Sequence, residues 1–190
     1  MRDLDKKEQE KTDENLVREI KAGNKDAFDR LVFRYRESAV RFAVRYTGDY
    51  HLAEDLAQEA FARFYLNLDN FSPDGSFSAY LFKILRNLAI DYHRKNNKYD
   101  EQKLTDDLTE DKGLPEDIVL ERERDGMVKK FLSRLKEKYR TALYLQHYEG
   151  MTYSEIATTL GLTKGQVRMS IYRGKKTLKK MIREEMKSHE

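Results

Sequence analysis

Thr152-Tyr153-Ser154-Glu155 and Thr163-Lys164-Gly165-Gln166 repeat one pattern eleven residues apart. In each, the threonine hydroxyl can accept the amide three residues on, and the Glu or Gln there can reach back to the threonine's own amide. Two helix starts are fixed by this spacing, and the first helix has about two turns before Gly161, which can adopt the positive φ of a tight turn. Ala157 is small where two helices cross, and Ile156, Leu160, Leu162 and Val167 supply a shared core. The pattern predicts a helix-turn-helix. An ordinary helical hairpin obeys the same packing rules. It does not require so basic a second helix: from 163 to 183 there are eight Lys or Arg and no acid, as phosphate neutralisation and entry into a major groove demand. Val167, Ile171 and Leu178 face inward at steps of four and seven. Thr163, Lys164, Gln166, Arg168, Met169, Tyr172, Arg173 and Lys176 are left as candidate contacts to duplex DNA, with Arg168 near the helix start placed to read a base. Lys175, Lys176 and Lys179 are placed on phosphates or in solvent.

The rest of the chain is also expected to be helical. Nine Gly and two Pro in 190 residues leave little material for hairpin turns, and 37% charged against 39% hydrophobic residues suits surface-rich helices. The fold class is all-α. Absence of Cys excludes disulfides, thiolate zinc sites and thiol nucleophiles, and suits a reducing compartment. The first eleven residues are nearly all polar and no apolar run exceeds four residues. Neither a signal peptide nor a membrane span is expected, and the chain is read as cytoplasmic.

The net charge of +3 is too small to identify a partner, but its distribution is informative. Residues 98–117 carry three lysines against eight acids, net −5, with few apolar side chains and with Gly113 and Pro115. So little apolar surface cannot offset the entropy of ordering, and the segment reads as a flexible acidic linker. It separates a tail (1–12) and first domain (13–97) from a second domain (118–185) and a short end (186–190). Residues 82–98, just before the linker, carry five cations and one acid, net +4. Each half therefore ends in a basic segment, the signature of a polyanion held by both.

In the first half, Phe28, Leu31, Val32, Tyr35, Ala39, Phe42, Ala43 and Tyr46 recur at helical steps until Gly48. A helix from about Asp49 stacks Leu52, Leu56, Ala60 and Phe64. After a break at 71–76, another groups Leu81, Phe82, Leu85, Leu88, Ala89 and Tyr92. This last helix also presents Lys83, Asn87, Asp91 and Lys95 at spacing four, beside the loop and helix-start residues Phe71, Ser76, Phe77 and Tyr80. Loop aromatics next to a cationic, amide-bearing face suit an unstacked single-stranded base. The same rings serve equally as core, since aromatics contribute so much burial.

Taken together, the stretch 51–65, the stretch 71–94 with Arg86-Asn87-Leu88-Ala89-Ile90-Asp91, and the stretch 153–178 resemble the extracytoplasmic-function (ECF) sigma factors of bacterial RNA polymerase, in order and spacing, over about residues 15–183. The resemblance implies two helical domains, regions 2 and 4. By it, Asp55, Gln58, Glu59 and Phe61 dock on core RNA polymerase. Phe71, Ser76, Phe77, Tyr80, Lys83, Arg86, Asn87, Asp91, Arg94 and Lys95 would capture and melt the minus-ten element, and the recognition helix would read the minus-thirty-five element as duplex. An anti-sigma antagonist, membrane-bound in some cases, is implied as a further partner. Two departures are visible: Tyr80 stands where Trp is common, and Met169-Ser170 where Ser or Thr followed by Arg is common, which removes one basic contact.

Other classes fit less well. The four histidines show no metal spacing, and there is no glycine-rich phosphate loop. His51 with Glu54 and Asp55 reads more readily as an exposed helix start than as a metal cluster. No metal, cofactor, small-molecule substrate or catalytic residue is expected. A regulator with a sensor first half would need a parallel sheet or ligand cavity, and an anti-sigma antagonist would not need basic recognition helices.

Overall fold

The computed structural model describes residues 11–72, 75–96 and 131–188, and among these every regular element is helical. In chain order they are α1 (Asp13–Lys21), α2 (Lys25–Thr47), α3 (Tyr50–Leu66), a single 3-10 turn (Leu68–Asn70), α4 (Phe77–Asn96), α5 (Glu137–His147), α6 (Tyr153–Leu160) and α7 (Lys164–Ser188). Residues 131–133 are also helical. The segment 98–117, expected as a linker, and the region around Ile118 and Val128 lie outside the described residues, as do Pro73 and Asp74.

Local chemistry sets the boundaries. Side-chain oxygens of Thr12, Asn24 and Asp49 accept the amides of Asn15, Asp26 and Leu52 at the starts of α1, α2 and α3, satisfying donors that a helix start leaves orphaned. Gly48 ends α2 in the left-handed region at φ 68°, and Asp49 immediately caps α3. So short a connection makes α2 and α3 a helical hairpin. The ion pair Arg36–Glu54 at 3.1 Å and the Phe28–Tyr65 ring contact at 5.0 Å run along its length. α4 packs across both, and Phe42, Phe64, Phe77 and Phe82 are fully buried between them.

In the second half α5, α6 and α7 enclose Leu145, Ile156, Val167 and Ile171. Both expected capping boxes form. Thr152 and Glu155 exchange amide bonds at the start of α6, and Thr163 and Gln166 do so at 3.2 and 2.8 Å before α7. Gly161 adopts φ 65°.

The apolar core is continuous between the halves. Phe42 and Tyr144 rings lie 5.8 Å apart, and the Arg45 guanidinium sits 4.2 Å over the Tyr144 ring. Tyr46 donates its hydroxyl to Glu137 at 3.0 Å, with Thr141 Oγ1 2.8 Å away. Burial first, and then the Glu137 charge, hold the Tyr46 phenol well above its ordinary range, so it keeps the proton it donates.

Candidate nucleic-acid interface

α7 sorts its residues by burial. Val167 and Ile171 are buried, Leu178 is partly so, and Thr163, Lys164, Gln166, Arg168, Met169, Tyr172, Arg173 and Lys176 are all exposed. The expected groove face therefore forms one continuous surface at the start of the helix. Gln166 spends its carbonyl oxygen on the Thr163 amide, leaving its NH2 to donate. The Arg173 guanidinium, beside Tyr139, pulls that phenol below its ordinary value. Lys175 and Lys179 are exposed as well.

Ser170 is not on this surface. Only 5% exposed, it lies between Val167 and Ile171 on the inward face, so it is no vacant site for a basic contact. Gly174 continues the same inward line one turn on.

On α4, Lys83, Asn87 and Lys95 of the expected ladder are exposed and Asp91 is half-buried, and Arg94 is exposed beside them. Arg94 pairs with Asp91 at 3.3 Å. Ile90, at 38% exposure, sits on that ladder between Asn87 and Arg94, where its helical position alone could have placed it. Tyr92, grouped with the core by spacing, is exposed instead. Arg86 and Ser76 are engaged elsewhere: Arg86 Nε lies 3.4 Å from Glu137 Oε1, and the Ser76 hydroxyl donates to Glu155 at 2.8 Å.

The aromatics proposed for base stacking turn inward in this structure. Phe77 is 1% and Phe71 7% exposed. Both meet the Phe64 ring edge-on, at 4.8 and 5.5 Å, and Tyr80 packs 5.0 Å from Phe71. Tyr80 alone of the three is half-exposed. The core reading of Phe71 and Phe77 describes their placement, since both rings are buried against Phe64.

α3 presents a second surface. Asp55, Gln58 and Glu59 are exposed, opposite Ala53, Leu56, Ala57 and Ala60, and Arg63 pairs with Glu59 at 2.7 Å. Phe61, expected on this surface, is 5% exposed and belongs to the core. Sequence reasoning missed three exposed apolar side chains nearby on this hairpin: Leu66 at 82%, Tyr65 at 43%, and Phe33 on α2 at 90%. Among the described residues no His, Asp and Glu cluster is arranged to hold a metal, and no helix is long and apolar enough to cross a membrane.

A basic recognition helix behind a helix-turn-helix, joined to a helical bundle with a cationic face of its own, is the architecture of a DNA-binding protein. Residues 31–99 match the family model for Sigma-70 region 2, and residues 125–178 that for Sigma-70, region 4. The chain is 34% identical over 178 residues to the ECF RNA polymerase sigma factor SigW of Bacillus subtilis, covering 88% of this chain and 95% of that protein. It is 31% identical to the ECF RNA polymerase sigma-E factor of Escherichia coli K12, over 88% of this chain and 92% of the relative. Among solved structures, CnrH in complex with the cytosolic domain of CnrY superposes with a TM-score of 0.66 at 28% identity, over 90% of this chain and 96% of that one. The chain belongs to the ECF RNA polymerase sigma factors.

Proposed function

We propose that this sigma factor directs core RNA polymerase to promoters through three surfaces: Asp55, Gln58 and Glu59 on α3 for the polymerase, the Lys83–Asn87–Arg94 face of α4 for the melted minus-ten strand, and the start of α7 for the minus-thirty-five duplex. The observation that carries this reading is that two separate exposed basic helix faces, α4 and α7, stand on the scaffold of the family. Phosphate contact is the sequence-independent part of such binding, and a base-reading guanidinium such as Arg168 the specific part. The acidic turn of α3 suits a basic or amide-rich partner surface, flanked by the apolar Leu66.

A second partner is an anti-sigma protein. The likeness to CnrH, solved with the cytosolic domain of CnrY, supports this. Phe33, Tyr65 and Leu66, exposed apolar side chains of the α2–α3 hairpin, are available to such a partner. Reconstitution with purified core polymerase tests the main reading. The chain should confer promoter-specific initiation, and Asp55→Lys with Glu59→Lys should weaken core binding while helix content stays constant. Undiminished core binding by that variant removes α3 from the polymerase surface.

A further inference from the structure

We infer that Tyr139 of α5 is a positioning residue for promoter binding: its hydroxyl holds the Arg173 guanidinium of α7 so that the remaining N–H donors face a backbone phosphate of the minus-thirty-five duplex. The inference rests on the reading of α7 as the recognition helix.

The placement follows from packing. α5 and α7 lie against each other, and a β-carbon on Gly174 would stand 3.4 Å from Tyr139 Cβ. The residue before that glycine is Arg173, exposed on α7. Close approach at Gly174 thus brings the half-buried Tyr139 ring alongside the root of the Arg173 side chain. The Tyr139 hydroxyl accepts a hydrogen bond from the Arg173 guanidinium. That bond, ahead of the opposing desolvation and of the Lys138, Arg173 and Lys136 charges, draws the phenol below its ordinary value. Lys138 Nζ lies 5.4 Å from the ring centroid. Two helices therefore bring three cations, Lys136, Lys138 and Arg173, to one hydroxyl. Such a concentration of positive charge attracts an anion, and beside a recognition helix that anion is a DNA phosphate.

The residue type at 139 decides what Arg173 can do. A carboxylate there would pair with the guanidinium and compete with phosphate for the same donors. A phenol accepts one hydrogen bond without carrying charge, so Arg173 keeps its charge and the rest of its N–H donors. A planar guanidinium held at one edge presents the other for a bidentate bond to phosphate. Fixing it before DNA arrives removes part of the side-chain entropy that a free arginine would lose on binding. Position separates Arg173 from Arg168, which is near the helix start where bases are read. Arg173 lies about 140° around the helix from Arg168, at roughly 3.6 residues per turn, on the flank that α5 borders. From there it reaches the wall of the groove and not its floor.

Holoenzyme reconstituted from core polymerase and the full chain is tested for binding to a promoter duplex from which it initiates, and to single-base variants of the minus-thirty-five element, at two salt concentrations. Tyr139→Phe keeps the ring and its packing and removes only the hydroxyl. It should leave the thermal midpoint of the chain unchanged and weaken binding to every variant by roughly fivefold, the size of one net hydrogen bond. Its salt slope should stay at the wild-type value, because Arg173 remains charged beside the phosphate. Arg173→Ala should weaken binding further and lower the slope by roughly one. Tyr139→Phe combined with Arg173→Ala should bind no more weakly than Arg173→Ala alone, since the hydroxyl acts only through that guanidinium. A folded Tyr139→Phe chain with wild-type affinity, or additive losses in the double variant, overturns the positioning role. An unchanged slope in Arg173→Ala, or a loss confined to one base pair, overturns the phosphate contact. Failure of the wild-type holoenzyme to select a promoter would overturn the proposed function itself, which a normal wild type with an unaffected Tyr139→Phe chain would leave standing.

Discussion

Gly174 of α7 lies so close to Leu143 of α5 that a β-carbon there would stand 2.8 Å from Leu143 Cδ1 and 3.4 Å from Tyr139 Cβ. Leu143 is itself buried at 5% exposure and has little room to yield. The two helices of the DNA-binding half are thus spaced by the absence of a side chain. Gly174→Ala should lower thermal stability by about 1 kcal/mol net, overpacking of ~1–3 kcal/mol offset by the ~1 kcal/mol of helix propensity that alanine gains. Gly165, on the same helix, meets only Thr163 Oγ1 at 3.9 Å, so Gly165→Ala should be neutral or stabilising by up to ~0.5 kcal/mol. Thermal unfolding should show the Gly174→Ala midpoint lowered and the Gly165→Ala midpoint unchanged or raised; equal shifts would show that the Gly174 contact does not set the spacing.

Ser170 and Met169 separate burial from charge on one turn of the recognition helix. An arginine at 170 must enter the core, so Ser170→Arg should destabilise the chain by several kcal/mol, about the cost of breaking into a packed site with an unpaired charge. Met169, 44% exposed, has no such constraint. Met169→Arg should leave stability unchanged and raise the salt slope of DNA binding by roughly one. A folded Ser170→Arg chain with tightened DNA binding would place that side chain outside the core.

Features legible in the sequence are those decided by local interactions. The helix start near Asp49, the capping boxes at Thr152 and Thr163, the turn glycines Gly48 and Gly161, and the inward line Val167–Ile171 are settled within one or two helical turns, and the structure forms them as the spacing predicts. The ladder of Lys83, Asn87, Asp91 and Lys95 likewise follows from spacing alone, with Asp91 half-buried and the other three exposed. Phe61, Phe71, Phe77 and Ser170 are different. Their chemistry permits either role, and burial was decided by Phe64, Tyr80 and neighbours from other helices that periodicity cannot locate. Tyr92 shows the converse, an apolar position by spacing that no neighbour covers. The pairing of Arg86 with Glu137 joins residues 51 apart in the chain, and nothing local announces it.

Asn87 and Phe77 can be told apart by stability. Asn87 is exposed, so Asn87→Ala should leave unfolding unchanged within ~0.5 kcal/mol while reducing open-complex formation. Phe77→Ala should cost about 3–5 kcal/mol through the cavity it leaves among Phe64 and Tyr35, and any loss of promoter opening then follows from unfolding. Normal opening by a folded Asn87→Ala chain would withdraw Asn87 from base recognition.

Glu155 and Glu149 titrate in opposite senses. Burial raises the Glu155 pKa, but bonds from the Thr152 amide, the Thr152 hydroxyl and Ser76 outweigh it and hold the carboxyl below its ordinary value. Its contribution is therefore present above pH ~4.5 and lost as the pH falls through the lower folded value. Glu149 is raised, chiefly by burial, so it costs stability as pH rises from the ordinary value through the folded one. Glu149→Gln should stabilise the chain at neutral pH and not at pH ~4, and Glu155→Gln should flatten the acid limb of the stability profile. Denaturant midpoints across the acid range up to neutrality check both, and an unchanged acid limb in Glu155→Gln would remove that carboxylate from the account.

The recognition helix divides its cations by position. Arg168 follows buried Val167 at the end of α7 that enters the groove in this motif, and its guanidinium can pair with guanine O6 and N7 for about 1–3 kcal/mol of discrimination. Lys175 and Lys179 lie two and three turns further on, and the proposed docking puts them against the phosphate backbone. Arg168→Ala should therefore flatten preference at one base pair of the minus-thirty-five element and leave the others intact. Lys175→Ala should weaken every sequence alike and lower the salt slope by roughly one. Binding is measured over single-base variants of the element at two salt concentrations. If Arg168→Ala weakens all variants by one factor, Arg168 is a phosphate contact, and base reading passes to the remaining exposed side chains of that first turn, Lys164, Gln166 and Met169.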